Sequence, residues 1–118
     1  MPVSSSFRTF IVDQLGRVVP RVRAKAMFGG VGIYAGDYFF ALIADDSLYF
    51  KVDDSNRADF EGCGMGPFRP YGPGGEVMQY YQVPVDLVED REALRPWAEK
   101  AIAVAGRKQR KRPRPADP

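Results

Sequence analysis

The sequence predicts an α+β fold: a two-layer sandwich in which helices cover an antiparallel sheet, in the order α-β(3-4)-α-β(2)-α. Three observations carry this. Residues 22–52 read as successive strand segments joined by very short turns, and short turns make antiparallel hairpins because parallel strands need long crossovers. Apolar stripes with helical spacing flank the strands at both ends of the chain. A second strand pair is read further on, around Gly72-Pro73-Gly74-Gly75.

The first helix follows Ser4-Ser5-Ser6, any of which can cap it. Phe7, Phe10, Ile11 and Leu15 recur at helical spacing, Gly16 is its predicted stop, and Pro20 separates it from the strands. Val22–Phe28 and Val31–Tyr34 are the first two strands. Ala35-Gly36-Asp37 turns into Tyr38–Ala44, which is almost wholly apolar, and Asp45-Asp46-Ser47 turns again. Leu48, Phe50 and Val52 then alternate with Tyr49 and Lys51, the period of a half-buried strand. Asp53-Asp54-Ser55-Asn56 opens a short helix over Ser55–Glu61, which Gly62 and Gly64 end. Pro67–Tyr71 and Val77–Val83 are the second strand pair, closed by Pro84. In the last helix Leu94, Trp97, Ala98, Ala101, Ile102 and Ala105 form one stripe. A start near Glu92–Arg95 places Pro96 in the first turn, and Gly106 is the predicted end.

A chain of 118 residues fits one domain, here residues 1–106, followed by a basic tail over 107–118 that is expected to be disordered. The tail holds Arg107, Lys108, Arg110, Lys111, Arg112 and Arg114, six of the 17 basic residues. The body carries eleven basic against fourteen acidic residues and so is net −3. A lone cysteine, Cys63, fits a reducing compartment. With no leader pattern and no apolar run of ~20 residues, the expected place is the cytoplasm.

Motifs with chemical meaning each have an ordinary structural reading. Gly30, Gly32 and Ala35 match the spacing of a dinucleotide fingerprint, with Asp53 and Asp54 about 20 residues on, but a hairpin rather than a helix follows them, so no cofactor is expected. Cys63 has no histidine to activate it. Asp45-Asp46 and Asp53-Asp54 sit where turns and caps want aspartate, and no metal is expected. Tyr49, Tyr71, Tyr80 and Tyr81 with Lys51 are candidates for a base-stacking platform, or for cross-strand core pairs. Lys51 either snorkels to the surface or pairs with a nearby acid. Arg21, Arg23 and Lys25, near Arg17, share a face if they alternate along one strand. The tail cations are candidate phosphate contacts.

The string Met27-Phe28-Gly29-Gly30-x-Gly32-Ile33-Tyr34 is followed by Phe40-Ala41-Leu42-Ile43 and Leu48-Tyr49-Phe50-Lys51-Val52-Asp53. Asn56, Phe60, Gly64-x-x-Pro67-Phe68, Met78-x-Tyr80-Tyr81-x-Val83-Pro84 and Leu94-x-x-Trp97-Ala98 come next. In order and spacing this pattern resembles the N-terminal domain of the TfoX/Sxy regulators of bacterial DNA-uptake competence. The resemblance implies a two-layer fold of the kind also used by secretion chaperones. It further implies a part in transcriptional regulation through a protein partner such as the cyclic-AMP receptor protein, and it brings no catalytic residues. The leading expectation is therefore a non-enzymatic interaction module. The alternatives are a nucleic-acid binder that uses the tail and a small ligand-binding protein.

Overall fold

In a computed structural model, residues 4–27, 29–69 and 79–111 are described, the side chains only as far as Arg107. Helix α1 (Ser5–Val18) leads into strands β1 (Val22–Met27), β2 (Gly30–Ala35), β3 (Tyr38–Ala44) and β4 (Ser47–Lys51). Helix α2 (Arg57–Glu61), strand β5 (Tyr80–Gln82), helix α3 (Val85–Val88) and helix α4 (Arg91–Lys111) follow. The five strands form one antiparallel sheet in the order β1-β2-β3-β4-β5. This is the predicted α+β sandwich.

Helices α1 and α4 lie together on one face of the sheet. Ile11 and Leu15 of α1 and Leu94, Ala98, Ala101 and Ala105 of α4 pack against Val31, Ile33, Ile43, Leu48, Phe50 and Val52. The alternation expected for β4 is realised, so Tyr49 and Lys51 point to the opposite face. A bulge where β2 meets β3 pairs Ile33 with Ala41 and Tyr34 with Phe39, leaving Phe40 without a counterpart. The extra residue resets the alternation, and Phe40 and Ala41 both reach the helix-side core.

Several boundaries depart from the sequence reading. Helix α1 passes through Gly16 to Val18, because one more half-turn buries Val18. Its cap is Ser4, whose Oγ accepts from the Phe7 N–H at 3.2 Å. Helix α4 starts at Arg91, with the Asp90 side chain accepting from the Ala93 N–H at 3.2 Å, so Pro96 falls in the second turn. Pro96 is exposed there, which leaves the Glu92 carbonyl that its missing N–H would have met facing water. The same helix continues through Gly106 to Lys111, so the boundary expected at 106 lies inside it. Helix α3 has no counterpart in the sequence reading. Of the second strand pair, β5 forms, and among the described residues its expected partner shows one bridge, between Pro67 and Tyr81. The turn between them, with Tyr71, lies outside the described residues, as do Phe28, Arg112 and Arg114.

Candidate functional site: the open face of the sheet

The face turned away from the helices collects several of the motif residues, among them Tyr34, Tyr49, Lys51 and Tyr80. Across it runs a row with one side chain from every strand: Arg23, Tyr34, Phe39, Lys51 and Tyr80. The Arg23 guanidinium lies 4.6 Å from the centre of the Tyr34 ring. Tyr34 stacks on Phe39, with centroids 5.0 Å apart and planes at 23°. Phe39 meets Tyr80 at 5.6 Å. The Lys51 ammonium stands 4.6 Å over the Tyr80 ring and donates to the Tyr80 hydroxyl at 3.1 Å. Lys51 therefore takes a phenol as a partner, a geometry the sequence reading did not name. The registers define a second row beside the first: Lys25, Gly32, Leu42, Tyr49 and Gln82. Phe68 packs on Tyr49 with centroids 4.9 Å apart.

Local geometry fixes these positions. Asn56 is buried and brackets the end of β4: its Nδ2 donates to the Lys51 carbonyl at 3.1 Å, and its Oδ1 accepts from the Asp53 N–H at 2.9 Å. Met27 folds over Gly32, where a β-carbon would come within 2.5 Å of the methionine methyl. Gly29 supplies the left-handed turn between β1 and β2 at φ 77°. Burial, helped by the neighbouring Tyr34, pushes the Tyr80 phenol well above its ordinary range. Burial, helped by Asp45, raises that of Tyr49.

Other candidates fall elsewhere. Tyr81 faces the helices, its ring 6.0 Å from Phe60, so the four tyrosines do not make one platform. Trp97 also faces inward, edge-on to Phe60 at 4.7 Å. Pro84 caps α3. Arg21 leaves the alternation of Arg23 and Lys25, because it precedes β1 at φ 58°. Gly30, Gly32 and Ala35 all lie within β2, which turns into β3 and not into a helix. Asp45 and Asp46 are the positive-φ residues of the β3–β4 turn, and Asp46 accepts from the Ser4 N–H at 2.8 Å. Asp54 pairs with Arg57. Cys63 is exposed. Arg107 reaches back from α4 to Asp53 at 3.1 Å and to the Ser55 hydroxyl at 2.7 Å. Lys108, Arg110 and Lys111 continue that helix.

On the helix side, Phe10 is 40% exposed, although its spacing placed it with the core. It lines an open cleft of about 680 Å³ with Gln14, Glu89, Asp90, Arg91 and Glu92. Gln14 anchors the floor, donating to the Val88 carbonyl at 2.9 Å and accepting from Arg91 Nε at 2.8 Å. No helix among the described residues is long and apolar enough to cross a membrane.

A sequential five-stranded antiparallel sheet with helices on one face and an aromatic, cation-bearing row on the other defines a small one-sided α+β domain. The chain belongs to the TfoX N-terminal domain family, whose model matches residues 13–105. No curated protein matches it.

Proposed function

We propose that the chain is a non-enzymatic interaction module that contributes to transcriptional regulation of the competence type by docking a protein partner. Family membership supports this reading, and the Phe10 cleft is the observation that carries it. A half-exposed aromatic ring beside Glu89, Asp90 and Glu92 offers an apolar anchor next to negative charge. That chemistry suits a partner presenting an apolar side chain within a basic surface. The cyclic-AMP receptor protein of the source cell is the partner to try first.

The test is a titration of that receptor against the labelled full chain, with Phe10→Ser alongside. Saturable binding that falls at least tenfold in Phe10→Ser, at an unchanged melting temperature, is expected. A competence-promoter reporter should fall with the same variant. Undetectable binding, together with a reporter indifferent to the substitution, overturns the proposal.

A further inference from the structure

Among the described residues, the strands of this acidic body contain no acidic residue. Their charged positions are Arg23, Lys25 and Lys51, and all three lie on the open face. The described carboxylates sit in helices, turns and connecting loops. The sheet therefore presents a positive, aromatic surface on a body of net charge −3. Arg23 and Lys25 are exposed on the edge strand, and Tyr34 and Phe39 are partly exposed beside them.

We propose that this face binds single-stranded nucleic acid, with the outer face of the Tyr34 ring, backed by Phe39, as the base-stacking surface and Arg23 and Lys25 meeting the phosphates. The proposal is independent of the Phe10 cleft. The Arg23 guanidinium now covers the outer side of the Tyr34–Phe39 stack. A planar base takes the same position on the Tyr34 ring and frees Arg23 to bond a phosphate, which a guanidinium does in bidentate fashion. Strands lie about 4.8 Å apart, so Arg23 to Phe39 spans roughly 10 Å across three strands. Aromatic rings on an open sheet face stack unpaired bases in this way. A second copy docked open face to open face fits poorly, because Arg23 and Lys25 would meet like charges. An acidic peptide would satisfy the cations but leave the stacked rings without a role.

The test uses the full chain and fluorescence anisotropy with a labelled twelve-residue oligothymidylate at several salt concentrations. Expected is saturable binding that weakens with salt, and much weaker binding of a duplex of equal length. Arg23→Ala with Lys25→Ala should weaken binding at least tenfold and lower the salt slope by about 1.4, from about 0.7 per phosphate contact. Tyr34→Leu should cost roughly tenfold, while Tyr34→Phe should retain binding. The edge cations are exposed, so their double variant keeps the test decisive if Tyr34→Leu fails to fold. Arg17→Ala with Lys100→Ala, on the helix layer, should change nothing. Four results each overturn the proposal: no saturable binding at low salt, equal binding of duplex, competition by polyglutamate as effective as by unlabelled oligothymidylate, or a double variant that binds like the parent. In the last case, loss on replacing Lys108, Arg110 and Lys111 would assign the binding to the end of the chain.

Discussion

At Gly30 the missing β-carbon lets the β1–β2 hairpin close against β3. A β-carbon there would lie 2.5 Å from the Ile43 carbonyl oxygen, a backbone atom that cannot step aside. The positive φ of this turn belongs to its neighbour Gly29, so what Gly30 supplies is the close approach of the strands. Gly30→Ala should therefore destabilise by ~2–3 kcal/mol, as overpacking a well-filled site does. Gly16 is the internal control. It is exposed in the last turn of α1, and a methyl group added there would meet nothing within 4 Å, so Gly16→Ala should stabilise by ~0.5 kcal/mol. Urea midpoints of the two variants should move in opposite directions. Equal shifts would mean that the close approach at Ile43 is absent.

At the scale of elements, α4 is the beam that holds the sheet and the loops together. Leu94, Ala98, Ala101, Val104 and Ala105 are its buried stripe, and Trp97 at its edge clamps Phe60 of α2. Trp97 is half-buried, not enclosed as its place in the apolar stripe suggests. Trp97→Ala should therefore cost ~2–3 kcal/mol, below the ~3–5 kcal/mol of a fully buried aromatic. A loss under ~0.5 kcal/mol by denaturant unfolding would mean that the edge-on contact contributes little. Period and punctuation made most elements legible. The alternation of Leu48, Phe50 and Val52 fixed the facing of β4, and Asp45-Asp46 marked its turn. Glycine as a stop sign misled twice. At Gly16 and at Gly106 the helix runs on, and burying Val18 or carrying Arg107 to Asp53 offsets what glycine costs it. Helix α3 was hidden because four residues show no period. The open-face row was hidden because β5 reaches β4 only through α2 and a long connection, so the meeting of Lys51 with Tyr80 is a matter of register across 29 residues.

For the whole molecule, an ion pair between Arg107 in the C-terminal part of α4 and Asp53 ties that helix to the β4–α2 connection. Burial works against the Asp53 charge, but the Ser55 hydroxyl and N–H and the Arg107 guanidinium outweigh it and hold the carboxyl below its ordinary range. A depressed folded value means that the contribution is complete above the unfolded value near 3.8 and is lost as pH falls through the folded one. Both partners are about a third exposed, so screening keeps the pair at ~1 kcal/mol or less, roughly 4 °C of melting temperature at pH 7. Arg107→Gln should therefore melt a few degrees below the parent at pH 6–8, and the two curves should converge as pH falls below about 4. A chain ending at residue 106 should reproduce the neutral-pH deficit, because it lacks the same guanidinium, while one ending at residue 111 should not. A gap between parent and Arg107→Gln that stays constant over this pH range would show that Arg107 stabilises α4 by some route other than Asp53.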